Sequence, residues 1–267
     1  MTPDLDGHDL DGLRQLAASL AREAGRMIFE GRNAGIAEID TKSSETDVVT
    51  EFDRASEALI VAGLVQARPS DGIVGEEGTD RHGDSGIRWL IDPIDGTTNF
   101  LYGLPGYAVS IAARDDAGTL VGAVYIPATD ELFSAAAGAG ATMNGAPIHP
   151  GATGSLQHAL VATGFSYLPE RRARQAARLA RITHRVRDIR RLGAAAADLC
   201  YVASGRVDAY FEEWLGPWDL AAGELIAREA GCRTGDFAGD AVRPAQVLVA
   251  APQLFDPMVG LLAATAP

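Results

Sequence analysis

The chain has 267 residues, 47% apolar and 22% charged, enough to bury a sizeable core, which excludes a disordered polypeptide. Its net charge of −13 argues against a general nucleic-acid binder, which neutralises phosphates with surplus Lys and Arg; an acidic protein that handles anions needs a cation between them. Cys200 and Cys232 are too few for a disulfide framework or zinc knuckle and read as reduced thiols; with an acidic N-terminus and no long apolar run, the expectation is a cytoplasmic protein without a membrane span.

In chain order, Asp9 to Gly31 reads as an amphipathic helix with Leu13, Leu16, Ala17, Leu20, Ala24, Met27 and Ile28 on one stripe. Asp9 or Asp11 would cap it and Gly31 end it. A loop around Lys42 to Asp47 follows, then a helix from about Asp53 to Gln66, placing Asp53 near a helix start. Runs bounded by Gly, Pro and Asp predict strands at Gly72 to Val74, Arg88 to Ile91, Ala108 to Ala113, Leu120 to Ile126, Glu131 to Ala136 and Ala141 to Met143.

From Leu160 onward strands and helices alternate. Helices are expected near Glu170 to His184, Ala194 to Ser204, Pro217 to Ala230 and Gln253 to Ala264, with strands near Arg187 to Leu192, Ala209 to Phe211, Cys232 to Thr234 and Gln246 to Ala250. No linker divides the chain, because the Gly-rich stretch from Gly138 to Gly154 reads as hairpin turns. The expectation is one domain over 1–267 with approximate subdomains 1–150 and 151–267, the first mixed α and β, the second α/β layered.

Five acids stand at element ends: Asp53, Glu76, Asp92, Asp95 and Asp219. If Glu76, Asp92, Asp95 and Asp219 converge, their charges repel unless cations compensate them. Oxygen-only ligands select hard cations, Mg²⁺ first and Mn²⁺ next. Paired metals can polarise a phosphoryl oxygen and activate water, which is phosphate-ester hydrolysis without a protein nucleophile. Gly96 and Thr97 suit close backbone approach to phosphate, and the Thr97 hydroxyl, with Asp53, suits orientation of the water. Taken singly, each acid is as readily a helix cap or turn residue; Asp92 and Asp95, three apart behind an apolar strand, exceed what a turn requires.

With Gly75-Glu76-Glu77, the stretch Trp89 to Phe100 and the run Trp218 to Gly223 as anchors, the chain resembles the inositol monophosphatase family of lithium-sensitive, metal-dependent phosphatases over nearly its whole length. Thr46 to Asp53 and Asn144-Gly145 support it. The resemblance implies a mixed α/β, layered αβαβα fold, a homodimer, and hydrolysis of an inositol monophosphate with two or three Mg²⁺ ions. It implies that Glu76, Asp92, Thr97 and the Ile94 carbonyl hold one metal, that Asp92, Asp95 and Asp219 hold a second, and that a third leans on Glu76. Asp53 and Thr97 would activate water, Gly96 and Thr97 amides would hold phosphate, and Lys42 would lie in a loop near the site. Asp95, Ala195 and Glu212 would meet the substrate, Glu212 being equally readable as a solvated strand end. The Thr98-Asn99-Phe100 ending tilts the substrate toward inositol; histidinol phosphate, fructose 1,6-bisphosphate and other cyclitol or sugar phosphates stay open.

An aspartyl-phosphate route of the haloacid-dehalogenase type needs its nucleophile two residues before Asp95, where Pro93 stands. A different class of function, regulatory binding to RNA or protein, rests on residues 171–191, with nine Arg and one acid, Asp188. There Arg171, Arg174, Arg178, Arg181 and Arg185 share a helix face. The plainer expectation is a solvated face on a helix packed through Ala173, Ala176, Ala177 and Ala180.

Overall fold

The computed structural model describes residues 8–34, 39–41 and 48–266; Lys42 and the Thr46-Asp47 pair lie outside them. Helix α1 (Leu10–Ala34) forms on the expected stripe, with Leu13, Ala17, Leu20, Ala24 and Ile28 buried, and Asp9 closes its first turn by accepting from the Gly12 amide at 2.9 Å. Gly31 does not end the helix as expected. It lies where the Phe52 ring meets the helix backbone, and any Cβ there would strike that ring.

Strands β1 (Ile39–Thr41) and β2 (Val48–Thr50) pair antiparallel and lead into α2 (Glu51–Ala67). Next come β3 (Gly72–Gly75), β4 (Asp80–Arg81), β5 (Arg88–Asp95), helix α3 (Thr97–Tyr102), β6 (Ala108–Arg114), β7 (Thr119–Ile126), β8 (Glu131–Ala136), β9 (Ala141–Met143) and β10 (Ala146–Pro147). Their eight strands form one sheet in the order β10-β9-β8-β7-β6-β5-β3-β4, antiparallel except between β3 and β5. Turns at Gly138 and Gly140 fall in the expected hairpin region, their amides donating to the Glu229 carboxylate at 3.0 Å each.

The second half runs β11 (Leu160–Thr163), α4 (Pro169–Ile182), β12 (Asp188–Arg190), α5 (Ala195–Ala203), β13 (Ala209–Glu213), α6 (Pro217–Glu229), β14 (Arg233–Gly235), β15 (Gln246–Ala250) and α7 (Pro252–Ala264). A five-stranded sheet results, ordered β12-β11-β13-β15-β14. Helices α1 and α2 cover one face of the large sheet, α5 and α6 fill the space between the sheets, and α7 with α4 covers the outer face of the small one. The layers run helix, sheet, helix, sheet, helix, as expected. The middle core joins Val124 and Phe133 of the large sheet to Leu199 and Leu225 of the helices and Tyr210 and Val249 of the small sheet; deleting one such side chain costs about 2–5 kcal/mol. Among the described residues no helix is long and apolar enough to cross a membrane. Both cysteines are buried and free.

Helix α4 packs differently from expectation. Ala173, Ala176, Ala177 and Ala180 are exposed, and the helix buries Gln175, Arg178 and Ile182. The face turned inward repeats at spacings of three and four through Gln175, Arg178 and Ile182, with the Arg178 stem lying along it. Arg178 therefore leaves the basic face: its Nη1 donates to the Leu262 carbonyl at 3.0 Å, its Nε lies 3.6 Å from Glu213, and its guanidinium covers the Phe237 ring at 4.9 Å. Arg171 and Arg174 stack over Trp214 at 5.0 and 5.8 Å.

Candidate active site

The site grows from the parallel pair β3 and β5. Gly75 stands opposite Ile91, so Glu76, whose amide donates to the Ile91 carbonyl at 3.1 Å, emerges beside Asp92. Strand β5 does not stop at Ile91, as its sequence suggests, but continues to Asp95. Residues three apart on a regular strand face opposite sides. Here Asp92 pairs with Ser110 and Asp95 with Ala108, three steps on β5 against two on β6, so one extra residue around Pro93 turns both carboxylates to the same face. Pro93, which has no amide to donate, suits such a bulge.

That face meets α6. Ser110 donates to the Trp218 carbonyl at 3.1 Å, holding the helix start over β6, and Asp219 is fixed in the first turn by the Gly216 amide at 2.7 Å. Glu76, Asp92 and Asp219 each present an oxygen within 4.8 Å of the others. Asp95 accepts from the Ala195 and Ala196 amides at 3.1 and 2.6 Å, capping α5 from another element.

Asp53 joins from α2. Its Oδ2 accepts from the amide and hydroxyl of Thr50, both at 2.7 Å, in a capping box, and its Oδ1 lies 3.1 Å from the Thr97 hydroxyl. The same hydroxyl is 3.0 Å from the Ile94 carbonyl. Gly96 precedes α3 at φ 90°, and a Cβ there would meet the Gly106 and Gly193 carbonyls at 2.9 and 3.0 Å. The backbone at Gly96 thus lies where the two halves of the chain close on each other.

Burial and the nearby charges of Glu76, Asp95 and Asp219 hold the Asp92 carboxyl well above its ordinary range. Asp95 is raised by burial and by Asp219, while its two amide partners pull it back. The donors are all oxygen, they are crowded enough to repel, and neither His nor Cys joins them, so the set fits a hard divalent cation.

The opposite wall comes from the second half. Ala195, Asp198, Arg191 and Glu212 line the same cleft. Glu212 lies within β13 rather than at its end; it accepts from the Tyr210 hydroxyl, and burial pushes its carboxyl up to about 7 against the pull of Tyr210 and Arg191. Asn99 and Phe100 do not line the cleft. Asn99 Nδ2 donates to the Gly106 carbonyl at 2.5 Å and the Leu192 carbonyl at 2.6 Å, and Phe100 packs edge-on between Phe52 and Tyr107.

Sequence reasoning missed Glu57 and Asp198. Glu57 is buried on α2 and accepts from the Glu77 amide at 2.8 Å, the Thr79 amide at 3.1 Å and the Thr79 hydroxyl at 2.6 Å, so it shapes the turn that carries Glu76. An acid inside an amphipathic helix gives no signal of that duty. Asp198 gave only the signal of an acid in a first helical turn.

A five-layer αβαβα fold enclosing a carboxylate cluster beside a Thr–Asp pair suits metal-assisted phosphate-ester hydrolysis, the chemistry of a class of phosphatases. The chain belongs to the inositol monophosphatase family, whose model matches residues 9–265. It is 42% identical to the Nus factor SuhB of Vibrio cholerae serotype O1, over 89% of this chain and 91% of that protein. It is 41% identical to the inositol-1-monophosphatase of Mycobacterium leprae, over 96% and 94%. The crystal structure of the extragenic suppressor protein suhB from Bartonella henselae superposes with a TM-score of 0.89 at 34% identity, covering 94% of this chain and 98% of that one.

Proposed function

We propose that the chain hydrolyses a small phosphomonoester, inositol monophosphate first, to the free alcohol and phosphate in a Mg²⁺-dependent reaction without a covalent enzyme intermediate. The observation that carries this proposal is the meeting of Glu76, Asp92, Asp95 and Asp219 beside the Thr97–Asp53 pair.

Glu76, Asp92, Thr97 and the Ile94 carbonyl would hold one ion, and Asp92, Asp95 and Asp219 a second, a third would lean on Glu76, and Mn²⁺ is the next candidate. The ions would supply positive charge to polarise a phosphoryl oxygen, acidify a water and stabilise the leaving oxygen. The Thr97 oxygen would accept a hydrogen bond from that water while its own hydroxyl donates to Asp53, which would serve as the base. The Gly96 and Thr97 amides at the start of α3 hold phosphate oxygens. Asp95, Ala195 and Glu212 meet the alcohol.

Inositol is favoured by the likeness to the inositol-1-monophosphatase of Mycobacterium leprae. Histidinol phosphate, fructose 1,6-bisphosphate and other cyclitol or sugar phosphates are the alternatives, and a panel ranked by kcat/KM decides among them; a best substrate outside the cyclitol phosphates refutes the inositol assignment. We also infer a single domain over 1–267, on the shared middle core, lithium sensitivity, a cytoplasmic place suited to two free thiols, and a homodimer, for which exposed Tyr102 and Leu104 offer an apolar contact.

A second reading, binding to RNA or protein, is favoured by the likeness to the Nus factor SuhB of Vibrio cholerae and by exposed Arg172, Arg174, Arg181, Arg185, Arg187, Arg190 and Arg191. Chelator-resistant binding to RNA or a protein partner, lost on reversing these charges, tests it; binding that tracks Mg²⁺ and phosphatase activity refutes it.

A further inference from the structure

Asp198 is a cleft residue without an assigned task. It lies in the first turn of α5, is 2% exposed, lines the cleft, and its Oδ1 has no hydrogen-bond partner. A buried acceptor left without a donor is costly, so a carboxyl kept in a cleft wall in that state calls for a donor brought from outside.

The surrounding groups do not supply that donor. The Tyr210 hydroxyl is committed to Glu212. Arg191 acts on Asp198 and Glu212 through its charge, and Asp95, the other near neighbour, is itself an acceptor held by the α5 amides.

The topology says which part of a substrate would come there. Glu76, Asp92, Asp95 and Thr97 come from the ends of β3 and β5 and from α3, joined by Asp219 from the first turn of α6, whereas Asp198 and Glu212 stand across the cleft in α5 and β13. A phosphomonoester with phosphorus at the first set places its alcohol at the second. Two carboxyls side by side, with Arg191 in the same wall, match neighbouring hydroxyls better than an apolar ring.

We infer that Asp198 is a specificity-determining residue that accepts a hydrogen bond from a hydroxyl of a polyhydroxylated leaving alcohol, next to Glu212. The inference rests on the phosphomonoesterase proposal above. It predicts discrimination by loss of a buried hydrogen bond, the kind of site that rejects analogues lacking the hydroxyl.

The test compares kcat/KM for inositol 1-phosphate and phenyl phosphate in the wild type, Asp198→Leu, which removes the acceptor while keeping the branched shape, and Asp198→Asn, which retains one. In Asp198→Leu the ratio of the two values should fall about tenfold or more, chiefly through KM for the inositol ester, and Asp198→Asn should restore most of it. An equal fall for both substrates overturns the inference, as does a shift of more than about threefold in the Mg²⁺ concentration giving half-maximal rate, which marks a metal role instead. If Asp198→Leu does not fold, Asp198→Ala takes its place in the same comparison: a fall of about tenfold in the ratio that Asp198→Asn largely restores supports the inference, and an equal fall for both substrates overturns it. No phosphate release from any of these esters by the wild type is instead a failure of the phosphomonoesterase proposal itself.

Discussion

Asp53 binds Thr50 through one carboxylate oxygen and Thr97 through the other, so a single side chain caps α2 and faces the proposed water-activating hydroxyl. The two duties separate by mutation. Asp53→Asn and Thr97→Val should each lower kcat by about 10²–10⁴-fold, the range of general-base loss. Thr50→Ala, which removes only the hydroxyl that supports the cap, should cost about 1 kcal/mol of stability with kcat reduced far less. Urea unfolding alongside steady-state kinetics checks both; a Thr50→Ala loss of turnover as large as that of Asp53→Asn contradicts the division.

Asp92 is held above its ordinary range by burial and by three neighbouring carboxylates. A folded-state value above the unfolded one means that the folded, metal-free protein binds the extra proton, so stability is lost as pH rises through the raised value. Asp92→Asn removes that charge. The metal-free variant should melt a few degrees above the metal-free wild type at pH 8, at about 2–4 °C per kcal/mol, and the gap should close as pH falls toward the ordinary carboxylate range. Turnover should meanwhile collapse. A variant that melts lower at pH 8, or retains near-normal turnover, contradicts the assignment.

Glu57 ties down the turn after Glu76 with three hydrogen bonds. Partners that orient metal ligands typically matter by about 10–100-fold in metal affinity. Glu57→Ala should therefore raise the Mg²⁺ concentration for half-saturation, read by calorimetry as well as by rate, about tenfold, with KM for substrate at saturating Mg²⁺ little changed. An unchanged Mg²⁺ requirement excludes that positioning role.

Gly96 combines a left-handed backbone with close contact to the Gly106 and Gly193 carbonyls. Gly96→Ala should cost about 1–3 kcal/mol and reduce kcat, because the strain falls on the amides that would meet phosphate. A variant as stable and active as the wild type shows that the loops can yield.

Much of this was legible in sequence because apolar period and turn residues report burial directly: β8 and β9 fall at their expected limits, and Asp53 and Asp219 stand at helix starts. What was not legible depends on distant partners. The segment from Ile91 to Asp95 looks like a strand followed by a turn because Pro93 interrupts it, and only pairing with β6 reveals the bulge that aligns Asp92 with Asp95. Helix α3 is short and follows Gly96, so sequence alone does not separate a turn from a helix start there. The alanines of α4 looked like a packing face, yet the helix buries Gln175, Arg178 and Ile182, because a partner 84 residues away, the Leu262 carbonyl, takes the Arg178 guanidinium and nothing in the sequence signals it.

The central claim is metal-dependent hydrolysis at the Asp92 cluster, and the most direct measurement is phosphate release from inositol 1-phosphate by the purified wild type with Mg²⁺, with a chelator, and with Mg²⁺ restored. Turnover that appears with Mg²⁺, vanishes with the chelator, returns on restoration and is absent in Asp92→Asn is the predicted result. Phosphate release that persists in the chelator, or none from any cyclitol or sugar phosphate with Mg²⁺ present, contradicts it.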